Sequence, residues 1–460
     1  MLSKIRASIG SNAGGEARGY GRRAGLLSIG VGLTGLVTYL FFALAAHQLS
    51  KTDYGEVVIL WSAVFICVSV LLRPVEQLLS RTISDNLATG RSTGHALRIA
   101  AGIQSSICVA FVAIALLLRG PIENGLLGGN ETLYWIGVAA IAAYGASYYA
   151  RGYLAGSHRL SLYASLIISE SVFRTAFALA VALGASGGQT TVALGIVAAP
   201  ALSLVIVPLA FLRHGGSKQS APGQASTARG LSLTEGGSFA AAVLLIMLSE
   251  QTLLNAGPLI VSGTAGAALA GYVFNVLMIA RAPLQLFQAV TTSLLPHLTR
   301  LRVEGKAEDF ASAVRVTSTF VVLFGLAVAG VMALVGPFLM QLAFSDKFEY
   351  ARIDLVIVSL GMGLYLAAAT LNQAALAQGQ VARASSRWIA CAALFCAWAL
   401  LPVMADVQLR VEVGYLVAAA LLCAALWLIY RSPRPEKGHE VEPGSPEETE
   451  LQLAAADEGS

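Results

Sequence analysis

The hydrophobic residues of this chain come in blocks of about twenty, separated by short polar segments, and that spacing leaves few architectures open. A helix rising 1.5 Å per residue needs about 20 apolar residues to cross a hydrocarbon core of ~30 Å. Continuous apolar runs lack the alternation of a membrane barrel, so helices are the spanning element that fits. Of 460 residues, 56% are apolar and 12% charged, with mean hydropathy +0.70. The expectation is an all-α polytopic membrane protein with about 12 transmembrane helices in two six-helix bundles around a central cavity.

The blocks fall at 24–47, 57–79, 97–118, 132–150, 162–184 and 190–212, then at 238–262, 266–297, 311–343, 352–378, 388–405 and 413–430. Small residues from Ala43 to Ala46 imitate a signal-peptide cleavage site, but the apolar run is too long for one and reads as an uncleaved anchor. The organisation is then a basic cytoplasmic N-terminal segment (1–23), a first bundle (24–212), a cytoplasmic linker (213–237), a second bundle (238–430) and an acidic tail (431–460). The linker has a flexible composition and the tail a disordered one.

Twenty-two of the thirty Lys and Arg residues fall in the termini and in loops on one side. The opposite side holds Lys51, Arg119, Lys347, Arg352 and Arg410. By the excess of positive charge in cytoplasmic loops, both termini are cytoplasmic. The net charge of +4 reflects basic loops set against the acidic tail and does not suggest nucleic-acid binding. All five cysteines lie within the blocks and read as packing residues, and the six histidines lie at block ends or in polar segments. No metal or other cofactor is expected.

The remaining cations, Arg73, Arg174 and Arg281, lie inside apolar runs. An arginine near a bilayer centre costs roughly 2.5–3.5 kcal/mol on insertion scales, so it usually faces a protein interior or water-filled pathway. Helical spacing separates the three. Arg73 has Glu76 at i+3 and Arg174 has Glu170 at i−4, which makes each a candidate local pair, structural or ligand-binding. Around Arg281 the positions one turn away are Leu277, Met278, Leu284 and Gln285, so its partner must come from elsewhere. Glu250 is the protein candidate. The other is an anionic ligand, whose phosphate oxygens a guanidinium binds bidentately.

Asn255, Asn275, Gln285 and Gln288 offer further polar groups if they face the same lumen, the alternative being helix-to-helix hydrogen bonds. Glu250, as an intramembrane carboxylate, is also a candidate for proton exchange.

The halves correspond faintly. LLRPVEQLLSR (Leu71 to Arg81) and IARAPLQLFQAV (Ile279 to Val290) each place an Arg near a Pro. Measured from the outer block ends, Arg73 and Arg281 are expected at a similar depth of about 23 Å. Pro74 and Pro283 are expected to bend their helices around a cavity. Transporters are commonly built from such repeats with the site between them.

Two longer segments, LSKTDYGEVVILWSA (Leu49 to Ala63) and YYARGYLAGSHRLSLYASLIISESVFR (Tyr148 to Arg174), resemble the polysaccharide transporter branch of the multidrug, oligosaccharidyl-lipid and polysaccharide flippase superfamily. The resemblance implies a bacterial inner-membrane flippase that moves a prenyl-pyrophosphate-linked oligosaccharide to the outer leaflet by alternating access, for cell-surface polysaccharide biosynthesis. It implies no catalytic residues, and partners among bilayer lipids, glycosyltransferases and a polymerase. Arg281, Arg73 and Arg174 are the positions that could meet the pyrophosphate, although Glu76, Glu170 and Glu250 formally balance them. An ion-coupled drug or cation antiporter of the same superfamily, using Glu250 or Glu170, is the nearest rival. A membrane glycosyltransferase or ligase is less favoured, because the longest outer loop, Arg119 to Glu131, is too short for a catalytic platform.

Overall fold

Polar caps and single left-handed residues cut the chain into helices that run well past the apolar blocks. The computed structural model describes residues 30, 32–208 and 233–432, without the side chains of 233–240, 280, 282–293, 296 and 297. Twelve long helices are present among the described residues: α1 (32–48), α2 (Lys51–Ala88), α3 (Gly94–Leu117), α4 (Glu131–Gly156), α5 (Leu160–Ala182), α6 (Gly188–Ser203), α7 (Leu233–Ala265), α8 (Ala267–Val303), α9 (Ala307–Phe344), α10 (Arg352–Ala377), α11 (Val381–Leu400) and α12 (Val407–Arg431). The basic N-terminal segment, most of the linker and most of the acidic tail lie outside the described residues.

Eight of these helices, counted over the described residues, are long and apolar enough to cross a membrane. Helix α9 exposes Phe320, Leu323, Leu334, Phe338 and Leu342 along its length. In water that surface would be a large apolar patch; against lipid it matches its solvent.

Ser50 starts α2 by accepting the amide N–H of Asp53 at 3.1 Å. Asn130 and Asp406 do the same for α4 and α12, with Leu133 and Leu409 as donors. Such caps satisfy N–H groups that have no partner within the helix. Only Gly266 separates α7 from α8, at φ 89°, a left-handed backbone suited to a residue without a Cβ.

Helix adjacency repeats between the halves. In the first half α2 packs on α4, α4 on α6, α5 on α6 and α3 on α4; six helices later α8 packs on α10, α10 on α12, α11 on α12 and α9 on α10. The link from α1 to α5, where Thr175 Oγ1 donates to Val37 O at 3.0 Å, has its counterpart in the packing of α7 on α11. Each half is thus a bundle, and they meet along α2, which packs against α7 and α8.

That seam is closest at two glycines. A Cβ on Gly55 would lie 1.9 Å from Ala267 O, and one on Gly271 would lie 3.3 Å from Gly55 Cα. Both glycines are four residues into their helices, which aligns α2 with α8 and corrects the sequence-based depths. Arg73 lies about 33 Å below the start of α2, whereas Arg281 lies about 21 Å below the start of α8, so Arg73 is about 12 Å deeper. The apolar block had placed the start of α2 six residues late. The backbone around the two prolines differs. A π turn over Val68–Leu72 precedes Pro74 and absorbs its missing N–H, while the backbone of α8 is helical without a break past residue 283.

Candidate functional site

Between the bundles, a ladder of contacts descends from the face that carries Ser50 and residues 345–351, called here the far face; the opposite face is the basic one. Lys347 Nζ donates to His47 O at 2.7 Å and to Leu49 O at 2.9 Å. Tyr54 OH donates to Asn275 Oδ1 at 2.5 Å, and Asn275 Nδ2 donates to Tyr350 OH at 2.9 Å. Deeper, the rings of Phe42 and Phe274 sit 4.7 Å apart, and Tyr39 OH donates to Met278 O. Among the described residues, the hydrogen bonds and ring contacts joining the bundles all lie on the far-face side of Arg281.

Arg281 follows one turn below Met278. Its Nη1 donates to Asn255 Oδ1 at 3.2 Å, while Asn255 Nδ2 donates to Gln251 Oε1 at 3.0 Å. Tyr39 from the first bundle and Tyr365 and Tyr415 from the second are close enough to feel its charge. Nε and Nη2 of Arg281 are buried and meet no hydrogen-bond acceptor among the described residues. Glu250 does not close the gap, because it accepts from Tyr365 OH at 2.8 Å. What remains is a buried guanidinium with donors to spare, bordered by tyrosines and an Asn–Gln pair.

The polar residues expected around this lumen divide. Asn255 faces Arg281. Asn275 does not; it is fully buried in the seam, where Tyr54 and Tyr350 use its amide. The side chains of Gln285, Gln288 and Pro283 lie outside those described.

The first bundle holds a different arrangement. Arg174 Nη2 donates to Glu170 Oε1 at 2.9 Å, the pairing its i−4 spacing implies, and also to Tyr144 OH at 3.1 Å. The second oxygen of Glu170 is taken by Arg151, which the block boundaries had assigned to a cytoplasmic loop. Helix α4 continues through residues 151–156 to a turn at His158, so Arg151 is buried inside the bundle. Both guanidiniums also lie over rings, Arg174 at 4.4 Å from Trp61 and Arg151 at 4.4 Å from Tyr148, where the ring quadrupole favours a cation. The two guanidiniums share the one carboxylate of Glu170, each keeping a buried Nε without an acceptor among the described residues, and the cluster reads as a tie between α4 and α5.

Glu76 does not pair with Arg73. It accepts from Tyr163 OH at 3.0 Å at the head of a cleft of about 520 Å³, which is also lined by Ser84, Asp85 and His158. Arg73 is half-buried and makes no ion pair or hydrogen bond among the described residues. The three arginines therefore do not converge: Arg174 is paired with Glu170, Arg73 lies towards the basic face of the first bundle, and Arg281 stands at the seam.

Arg410, assigned by the sequence to an outer loop, is also buried, in the first turn of α12 with Nη1 near Met404 O at 3.4 Å. The outer loop of the first bundle is a folded turn over Pro121–Leu126, where Arg119 pairs with Glu123 and Glu131, both at 2.7 Å.

No protein-family model matches this sequence, and neither does any curated protein. Solved structures do match in fold. A MATE transporter of Vibrio cholerae superposes with TM-score 0.60 and 19% identity, over 89% of this chain and 95% of that one. An inward-facing multidrug resistance transporter of the MATE family gives TM-score 0.62 at 13% identity, over 88% and 96%. A MOP superfamily transporter from Pyrococcus furiosus, described as having a binding pocket of reverse polarity that suggests a different function, gives 0.53 at 16%, over 88% and 95%. The chain has the two-bundle fold of MATE transporters.

Proposed function

We propose that this protein is a membrane transporter that carries a phosphorylated amphiphile, a prenyl-pyrophosphate-linked oligosaccharide, from the basic-face leaflet to the opposite leaflet of a bacterial inner membrane. The observation that carries this reading is Arg281: a cation between two bundles, with two buried guanidinium nitrogens that meet no acceptor and no carboxylate in contact among the described residues. An uncompensated buried charge costs several kcal/mol, which an anionic ligand would offset on binding. Guanidinium geometry suits the oxygens of a pyrophosphate.

The ladder on the far-face side of Arg281 supports a state closed towards that face, with the cavity approached from the basic side. Alternating access then consists of breaking the ladder from Lys347 to Tyr39 and closing the opposite end. Neighbouring glycosyltransferases and a polymerase of a surface-polysaccharide pathway would supply and consume such a substrate.

A second reading, an ion-coupled drug antiporter, is favoured by the names of the solved structures and by Glu250, a carboxylate bound to Tyr365 near the same lumen. Vesicles reconstituted with the purified protein separate the two. Flipping of a fluorescent prenyl-pyrophosphate glycan without uptake of a cationic dye is expected; dye uptake without glycan flipping would replace the first reading by the second.

A further inference from the structure

The second bundle contains a carboxyl pair that plays no part in the Arg281 lumen. Asp354, the third residue of α10, and Glu412, in the second turn of α12, are 4% and 1% exposed. The Asp354 Oδ2 atom accepts from Tyr272 OH at 2.7 Å and from Gln408 Nε2 at 2.5 Å. Glu412 lies against Asp354, and the Gln408 amide that donates to Asp354 is the donor near its buried oxygens, neither of which completes a hydrogen bond among the described residues. No ion pair described includes either acid. Asp354 is about 16 Å along α10 from Tyr365, the residue nearest the Arg281 site on that helix.

Two adjacent buried carboxylates with no cation beside them cannot both stay ionised. One proton resolves the geometry, since a protonated Glu412 becomes a donor between the two carboxyls, with Asp354 as acceptor. A metal ion suits the set less well, because Tyr272 and Gln408 already direct hydrogens, not lone pairs, at Asp354. The groups whose fields reach Glu412 are Asp354 from α10, Asp406 at the start of α12 and Tyr272 from α8. Arg410 on the same helix turns towards Met404 O.

The pair is wired to the seam. Tyr272, whose hydroxyl donates to Asp354 and accepts from the Ala351 amide at 3.3 Å, stacks on Tyr350 with ring centroids 4.9 Å apart. Tyr350 accepts from Asn275, which accepts from Tyr54 of the first bundle. We propose that Asp354 and Glu412 form a proton-binding site of the second bundle, one proton shared between two carboxyls, whose occupancy holds the far-face seam closed through Tyr272. Release of that proton to the far-face solution leaves two like charges, which separate α10 from α12 and withdraw Tyr272 from its stack.

The test uses the full chain in lipid nanodiscs, with spin labels at Asn124→Cys and Thr264→Cys on a background in which the five native cysteines are replaced. These exposed positions flank the contact from Ser262 Oγ to Leu126 O. Raising the pH is expected to shift the label distance to longer values. Glu412→Gln, whose amide donates as the protonated acid does, is expected to keep the short distance throughout. Difference infrared spectra should show a protonated-carboxyl band that is lost in both Glu412→Gln and Asp354→Asn. An identical pH response in Glu412→Gln, or a band that survives both substitutions, overturns the proposal. So does removal of the band by sodium at constant pH, which would make the occupant a metal cation.

Discussion

Arg281 Nη1 donates to Asn255 Oδ1 at 3.2 Å, the one hydrogen bond its guanidinium makes among the described residues. That single neutral amide is what the proposed anionic ligand would supplement. The first bundle shows the contrast, with Arg151 and Arg174 both paired with the carboxylate of Glu170.

Removing that shared carboxylate should be severe. Glu170→Ala leaves two buried guanidiniums without a counter-charge, and breaking a buried pair costs about 3–5 kcal/mol. The expected result is a large fall in the thermal-unfolding midpoint in detergent. A midpoint equal to wild type would show that the tyrosines and Trp61 alone hold these arginines.

The glycine seam should tolerate no side chain. Gly55→Ala places a methyl group 1.9 Å from Ala267 O, a backbone atom that can yield only if α2 and α8 separate. Increased labelling of a cysteine placed at Ser262 is expected. Gly102→Ala, in α3 with nothing within 4 Å of the added atom, should leave labelling unchanged and stabilise its helix slightly, by about 0.5–1 kcal/mol.

Tyr54→Phe removes the hydroxyl that reaches Asn275 from the other bundle without altering the ring. Far-face opening should rise while the folded protein keeps its yield, because only the link between bundles is lost. Unchanged label distances across the seam would assign Tyr54 to packing alone.

The loop after α8 gives a pH expectation with a definite sign. Hydrogen bonds from Lys306 and then Arg300 hold the Glu304 carboxyl at about 2. A lowered carboxyl contributes stability that is fully present above its unfolded value and is lost progressively as pH falls from there through the folded one. Amide hydrogen exchange at Glu304 to Ala307, corrected for its intrinsic pH dependence, should therefore rise progressively as pH falls from 4.5 towards about 2 and level off below that. Because the group is fully exposed, salt should weaken the pair and Glu304→Gln should leave global stability unchanged.

The helices were legible in the sequence because each apolar block fills a bilayer, and the lack of a carboxylate one turn from Arg281 was legible from helical spacing alone. What escaped were charges at block edges. Arg151, Arg410 and Glu412 follow or precede the apolar runs by one to three residues, so they resemble loop residues, yet the helices continue past them and bury them. The cap at Asp406 and the turn at Gly156 to His158 were the available signals. Asn275 was misread because its partner Tyr54 is 221 residues away, across a seam no local pattern reveals. The supposed equal depth of Arg73 and Arg281 failed because α2 begins before its apolar block does.

The most direct measurement is flipping of a fluorescent prenyl-pyrophosphate glycan in vesicles containing equal amounts of wild-type protein, Arg281→Ala or Cys391→Ala. A hydrogen bond to a charged group contributes about 1.5–3 kcal/mol, so Arg281→Ala should slow flipping by about tenfold or more. Cys391→Ala, a change in the packed core of the second bundle, should retain it. Equal rates for the two variants would contradict a role for Arg281 in holding the substrate's phosphates.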